Sequence, residues 1–314
     1  MSISTLGETK VKKNERVLVP AALLFAVAGA ANAQPPGVTM EDIMRELPRE
    51  GAPLAIPGPY EVVKEPAFGL PSHVIYRPAD LGAFPDRDTL PVMAWGNGGC
   101  AIDSTRYGEF LSTIASYGFL VISTVPVEGQ EGARGTPENM IAAFDWAERE
   151  NTRQGSPLAG KIATDTMAAM GQSCGGFMSV KAGADPRVKT IGMFNSAVQP
   201  PNPNAPGGGI ASTDDLAALH GPVLMINGGE VDFMYEPAQR NYEIIEHVPV
   251  FYGARENAGH TATVFHPGGG EFANVASSWL RYVLKGDAEA GKMFVGPECS
   301  LCTNPTWETM SKGL

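Results

Sequence analysis

Basic residues are scarce in this sequence. Lys and Arg together number 23 against 34 Asp and Glu, so the 314-residue chain carries a formal net charge of −11 at pH 7. Proteins that bind nucleic acids or anionic lipid surfaces need clustered positive charge, because those partners are polyanions. The charge balance therefore argues against both classes of partner, and it fits a neutral or apolar substrate.

Long apolar runs are also scarce. The longest, "VLVPAALLFAVAGA" at residues 17–30, is too short and too rich in small residues for a comfortable membrane span. A basic segment precedes it and "ANA" follows it, with Ala31 and Ala33 placed around a cleavage point. We therefore predict a secretory signal peptide over residues 1–33, with an N-terminal anchor helix as the alternative. The mature protein would be periplasmic or extracellular, without stable membrane association.

Cysteines and histidines are too few and too scattered for a structural zinc site. The chain has four cysteines and five histidines, and Cys299 and Cys302 form the only C-x-x-C sequence. A structural zinc site needs four ligands, and no second C-x-x-C or close pair of histidines completes the set. Because cysteines pair in the oxidising compartments that exported proteins meet, a local Cys299–Cys302 disulfide is the better interpretation. We expect no metal ion or cofactor.

Apolar runs alternate with segments of helical periodicity through most of the chain. "LPVMAW", "FLVISTV" and "PVLMING" are apolar almost throughout, and between the first two Phe110, Leu111 and Ile114 recur at helical spacing. Strands of this kind, alternating with helices, indicate a mostly parallel sheet covered on both faces. With no internal repeat or second domain in view, we predict one α/β domain over residues 34–314, with "VPVFYGA" as its last strand.

The sequence "MGQSCGG" at residues 170–176 places Ser173 between Gly171 and Gly175. It falls where an apolar strand gives way to a helix. Glycines permit a sharp turn there, which lifts the serine hydroxyl clear of the sheet and directs helix N–H groups at developing negative charge. The alternative is a serine that only caps the helix. In a chain with 37 glycines, a G-x-S-x-G match alone is weak evidence for a nucleophile. The choice between nucleophile and capping serine therefore depends on whether a base and an acid follow in the sequence.

A nucleophilic serine needs a base and an orienting acid, in the chain order Ser, Asp or Glu, His for a strand–turn–helix site of this kind. Asp232 follows the buried strand "VLMIN", and His260 lies in the loop after the next strand. Both positions are where the carboxyl ends of the strands gather. Glu230 and Glu236 compete with Asp232, and His266, in the same loop, competes with His260.

An oxyanion needs two converging N–H donors. Cys174, directly after the serine, would supply one, and the glycine-rich loop after "LPVMAW" would supply the other. That loop, "GNGGCAIDSTR", lacks the lysine and following Ser or Thr of a phosphate-binding loop. If both backbones approach one oxygen atom, Cys100 and Cys174 come close together. The pair then forms either a disulfide or two buried free thiols.

The succession "VMAWGNGGCAIDSTRYGEFLSTIASYGFLVIS", "GQSCGG", "INGGEVD" and "AGH" resembles the α/β-hydrolase superfamily. The similar branch contains cutinases, bacterial polyester (PET) hydrolases, platelet-activating-factor acetylhydrolases and dienelactone hydrolases, and the similarity runs from about residue 60 to 285. The resemblance implies an α/β-hydrolase fold and a Ser173–His260–Asp232 catalytic triad. It also places Asn97 of "WGN" at the oxyanion donor position, opposite Cys174.

Three positions depart from the polyester hydrolases of this branch, which have an aromatic residue at the donor position, methionine after the nucleophile and tryptophan after the sixth strand. Here Asn97 and Cys174 occupy the first two, and no tryptophan lies near "FNSAVQPP". We therefore expect an exported serine carboxylesterase acting on small or polymeric neutral esters, without an evident aromatic clamp for terephthalate units. A lactone or amide hydrolase, and a catalytically silent binding protein on the same scaffold, are the alternatives.

Overall fold

The computed structural model describes residues 54–130, 132–202 and 209–314. The predicted signal peptide over residues 1–33 lies outside this part of the chain. Within it, nine strands form one sheet in the order β1-β2-β4-β3-β5-β6-β7-β8-β9. The strands are β1 Val62–Pro66, β2 His73–Pro78, β3 Leu90–Gly96, β4 Leu120–Thr124, β5 Ile162–Gln172, β6 Val188–Phe194, β7 Val223–Asn227, β8 Val250–Arg255 and β9 Trp307–Lys312.

The six central strands are parallel. β4, β3, β5, β6, β7 and β8 pair in parallel with their neighbours, whereas β1, β2 and β9 join the two edges in antiparallel register. Every residue of β3, β4 and β7 is buried, which explains why these strands are apolar on both faces. The prediction of a mostly parallel α/β sheet is confirmed.

Helices cover both faces of the sheet, and each face has its own apolar core. Along β3, Val92 and Ala94 belong to one core, and Met93 and Trp95 belong to the other, as the alternation of side chains in a strand requires. Helices α2, α3 and α4 contribute to the first core, and α1 and α5 to the second. The helices are α1 Gly108–Ala115, α2 Pro137–Thr152, α3 Cys174–Ala182, α4 Tyr235–Ile244, α5 Gly270–Lys285 and α6 Ala288–Gly291.

Two elements near the C-terminus were not predicted from the sequence. These are α6 and the edge strand β9, which pairs with β8, so "VPVFYGA" is not the last strand. β9 has the sequence "WETMSK", and only Trp307 in it is buried. An exposed edge strand lacks the apolar run that marks the inner strands. Trp307 holds it in place by packing in the second core and donating to Glu271 Oε1 at 2.7 Å.

All four cysteines are paired, and none is a free thiol. Cys100 and Cys174 are at disulfide distance, with their Cα atoms 5.1 Å apart, and Cys299 and Cys302 have the same Cα separation. Both pairs considered from the sequence therefore occur. Among the described helices, none has the length and apolar composition needed to cross a membrane.

Candidate active site

Ser173 occupies a strained turn between β5 and α3. Its backbone angles are φ 52° and ψ −117°, a conformation that side-chain-bearing residues rarely adopt. The flanking glycines are needed because the chain is crowded here. A Cβ on Gly171 would collide with the main chain of Gly175, and a Cβ on Gly175 would collide with the carbonyl of Gly96. The structure thus shows the sharp strand-to-helix turn expected from "GQSCG".

Ser173, His260 and Asp232 form a continuous chain of side-chain hydrogen bonds. Ser173 Oγ lies 2.9 Å from His260 Nε2, and His260 Nδ1 lies 2.9 Å from Asp232 Oδ1. The histidine side chain is 9% exposed and the aspartate side chain is fully buried. Residues 87 and 28 positions apart in the chain therefore meet at the carboxyl ends of the parallel strands.

The competing residues lie elsewhere. His266 precedes a 3-10 turn at Pro267–Gly269, and its main-chain N–H and carbonyl bond to Thr263 and Gly269. Glu230 is exposed, and Glu236 makes an ion pair with Arg240 on the surface of α4. Of the residues considered from the sequence, His260 contacts the serine and Asp232 contacts that histidine.

Asp232 is held as a carboxylate by several donors. Its Oδ2 accepts from Asn195 Nδ2 at 2.7 Å and from Gly228 N at 3.1 Å, and its Oδ1 also accepts from Met234 N at 3.0 Å. Burial alone would raise the pKa of Asp232, but the hydrogen bond and charge of His260, together with these donors, lower it below its ordinary value. A carboxylate facing Nδ1 makes that nitrogen the donor, so Nε2 is left to accept the Ser173 hydroxyl proton.

The two predicted oxyanion segments lie against each other. Asn97 follows β3 directly, Cys174 is the first residue of α3, and a Cβ on Gly175 would lie 3.0 Å from Asn97 N. The Asn97 side chain turns inward, where Nδ2 donates to Ala101 O at 3.0 Å and Thr124 Oγ1 at 3.3 Å. Any hydrogen bond from Asn97 to a substrate oxygen would therefore come from its main-chain N–H.

Two side chains that the sequence reading missed hold the histidine loop. Asn195 Nδ2, besides its bond to Asp232, donates to Gly259 O at 3.1 Å, and Gln172 Nε2 donates to His260 O at 3.0 Å. Asn195 directly follows β6 and Gln172 ends β5. A polar residue at the carboxyl end of an otherwise apolar strand is the sequence signal that could have found them.

An exposed aromatic ring lies on the histidine. The Phe233 ring centroid is 3.9 Å from that of His260, with an angle of 31° between the planes. Phe233 is 58% exposed and Val231, on the other side of Asp232, is 61% exposed. The polyester hydrolases that the sequence resembles have a tryptophan after the sixth strand, which this chain lacks. The structure instead places an exposed phenylalanine directly after Asp232, which makes this part of the rim of the site apolar.

No protein-family model matches the chain, and no curated protein matches it. In the described residues, no three or more His, Cys, Asp and Glu side chains are grouped so that they could hold a metal ion. A functional interpretation therefore has to start from the geometry of Ser173, His260 and Asp232.

Proposed function

We propose that this protein is an exported serine hydrolase of the α/β-hydrolase type, which cleaves neutral carboxylic esters through a covalent acyl-enzyme. The observation that carries the proposal is the pair of 2.9 Å hydrogen bonds from Ser173 Oγ to His260 Nε2 and from His260 Nδ1 to Asp232 Oδ1. A hydroxyl, an imidazole and a buried carboxylate in that sequence of contacts form a nucleophile, a base and an orienting acid.

The first half of the reaction forms the acyl-enzyme. Ser173 Oγ attacks the carbonyl carbon of the ester while His260 Nε2 takes the hydroxyl proton, and Asp232 stabilises the resulting imidazolium. The tetrahedral intermediate then collapses, and His260 returns the proton to the departing alcohol oxygen. In the second half, His260 removes a proton from water, whose oxygen attacks the acyl carbon, and the carboxylic acid leaves as Ser173 regains its proton.

The negatively charged oxygen of each tetrahedral intermediate needs hydrogen-bond donors to stabilise it. The main-chain N–H groups of Cys174, at the start of α3, and Asn97, in the loop against it, are the pair that we assign to this role. The loss of one such donor typically costs about 3 kcal/mol of transition-state stabilisation. Since both donors belong to the backbone, side-chain substitutions at these two positions need not abolish activity.

Two further features support the assignment to this type of hydrolase. The serine stands at a strand-to-helix turn with glycines on both sides, and the triad residues follow in the order Ser, Asp, His. The family resemblance of residues 60 to 285 agrees with both. Folds alone do not determine function, so the contacts of the triad carry more weight than the sheet.

The surroundings of the triad favour an apolar, uncharged substrate. Phe233 exposes apolar surface against His260, Val231 two positions before it is also exposed, and the chain carries an excess of acidic groups. An ester with an apolar acyl or alcohol part, small or polymeric, would bury part of that surface. Lactones and amides pass through similar tetrahedral intermediates, so they are the second class of substrate. Two disulfides favour an exported protein.

A fluorophosphonate probe and a substrate panel test the proposal. The probe should label Ser173, located by peptide mapping, and p-nitrophenyl esters of graded acyl length and aromaticity should be hydrolysed faster than matching anilides. Ser173→Ala should lower ester hydrolysis by more than about 10³-fold and leave the melting curve nearly unchanged. A variant that keeps more than a few per cent of the rate would overturn the assignment, and a wild-type protein inert to the probe would indicate a silent binding protein.

A further inference from the structure

A buried chain of hydrogen bonds runs from the loop after β3 that contains Asn97 and Gly98, here called the oxyanion loop, to the backbone of His260. The main-chain N–H of Gly98 donates to the Tyr107 hydroxyl at 2.8 Å, and that hydroxyl donates to Gln172 Oε1 at 3.0 Å. Gln172 Nε2 then donates to His260 O at 3.0 Å. Each donor meets one acceptor, so the chain has a single direction and joins three separate segments of the site.

The chain is fixed by packing. Tyr107 and Gln172 are 3% and 1% exposed, and the Tyr107 ring packs against Trp95 and Phe265, with centroid distances of 5.4 and 5.0 Å. Burial raises the pKa of Tyr107 to about 12, although the Gly98 N–H bond acts the other way, so the phenol remains a donor. A Cβ on Gly98 would lie 2.8 Å from the Tyr107 hydroxyl and closer still to Gln172 Oε1.

We propose that Tyr107 and Gln172 are positioning residues, which set the oxyanion loop and the catalytic base relative to the nucleophile. This inference rests on the proposed function. Gln172 is the residue before Ser173, so one side chain connects the nucleophile turn to the His260 carbonyl, and Tyr107 extends the connection to Gly98, next to Asn97. Asn195 holds the preceding carbonyl, that of Gly259.

This connection matters because the oxyanion donors and His260 act on the same substrate carbonyl group. The oxyanion donors must face the carbonyl oxygen while His260 Nε2 faces the attacking hydroxyl, and a displacement of about 1 Å can lower a rate by roughly 10²-fold. This chain of hydrogen bonds keeps the loop after β3 and the loop after β8 in a fixed position relative to each other. Its loss should therefore lower kcat, because the transition state requires this alignment more than substrate binding does.

Tyr107→Phe removes the hydroxyl and keeps the ring in contact with its aromatic neighbours. We expect kcat for a p-nitrophenyl ester to fall by about 10- to 100-fold, while KM changes by less than about threefold. Tyr76→Phe is the matched control, because Tyr76 is 1% exposed in the same core and its hydroxyl has no hydrogen-bond partner. It should leave kcat and KM at the wild-type values.

The second variant is Gln172→Met. Methionine is similar in length to glutamine and can make neither of the two hydrogen bonds. If Tyr107 and Gln172 act as one chain, the double variant should lose little more than Gln172→Met alone, because the effects of residues in one network are not additive. Melting curves identify any variant that fails to fold. Either single variant, if folded, gives the kcat and KM values that the proposal needs.

Three results would overturn the inference. These are an unchanged kcat in folded Tyr107→Phe, an equal loss in Tyr76→Phe, and losses that multiply in the double variant. Each of them leaves the proposed function intact as long as wild-type protein hydrolyses esters and Ser173→Ala does not. A Ser173→Ala variant as active as the wild type would instead refute the proposed function and this inference together.

Discussion

The disulfide between Cys100 and Cys174 should contribute both to stability and to activity. Cys174 begins α3 directly after Ser173, the proposed nucleophile, and Cys100 ends the 3-10 turn Gly98–Cys100 in the loop to which we assign an oxyanion donor. We would replace both cysteines by alanine, because both are buried and serine would leave hydroxyl groups without partners. The double variant Cys299→Ala, Cys302→Ala is the control, since it removes a disulfide far from the triad in sequence.

The expected difference in stability follows from the length of chain that each disulfide closes. The cysteines are 74 positions apart in the first pair and 3 positions apart in the second. In the chain-entropy model the first bond lowers the entropy of the unfolded chain enough to stabilise the protein by about 4 kcal/mol, and the second by about 2 kcal/mol. The first variant should therefore unfold at the lower denaturant concentration.

Measurements of kcat should distinguish the two disulfides more clearly than measurements of stability. Loss of the first bond removes the covalent link between the loop after β3 and the turn at Ser173 and leaves only noncovalent contacts, including hydrogen bonds, between them, so kcat should fall even at temperatures where the variant is fully folded. Loss of the second should leave kcat unchanged. The assays are urea unfolding followed by fluorescence and ester hydrolysis well below the melting temperature, repeated on wild-type protein with a reductant. Equal destabilisation by the two variants, or an unchanged kcat in the first, would refute this reasoning.

Two further predictions concern the triad. His260→Ala should lower ester hydrolysis by at least about 10³-fold, whereas His266→Ala should have a mild effect, and the reverse order would make His266 the base. Asp232 has a folded pKa below its ordinary value of 3.8, so its contribution to stability is complete above about pH 5 and is lost as the pH falls through the folded value. On acidification, the free energy of unfolding should therefore fall more steeply with pH in the wild type than in Asp232→Asn. Equal slopes would contradict the depressed pKa of Asp232.

Much of the fold could be predicted because the inner strands are buried on both faces. Strands such as β4 and β7 have no exposed residue, and that requirement leaves an apolar run in the sequence. The strand-to-helix turn at Ser173 was visible for a similar reason, since Gly171 and Gly175 lie where no Cβ fits. Where no Cβ fits, the position must be glycine, so a steric requirement of this kind is visible in the sequence itself.

The positioning side chains could not be predicted in the same way. In the sequence Tyr107 lies one turn before Phe110 and Leu111, at the spacing of an apolar helix face, and its hydroxyl meets Gln172 only because the fold brings residues 65 positions apart together. Asn195 likewise meets Asp232 across 37 positions. The partner of a polar group depends on tertiary structure, and the residue type alone does not determine it. β9 was missed because its one buried residue, Trp307, leaves no apolar pattern.

The strain at Ser173 explains why so many contacts converge on this turn. A residue held at positive φ costs on the order of 1–3 kcal/mol and persists only where surrounding structure determines its conformation. Here Ser173 N donates to Phe194 O at 2.8 Å and Ser173 O accepts from Ser196 Oγ at 2.7 Å, so the end of β6 holds both sides of the turn. The disulfide holds the next residue, Cys174, and the side-chain hydrogen bonds of Gln172 with Tyr107 and His260 hold the preceding one. A serine that merely capped α3 would adopt an extended, unstrained backbone, so the strained conformation at this position favours a nucleophile.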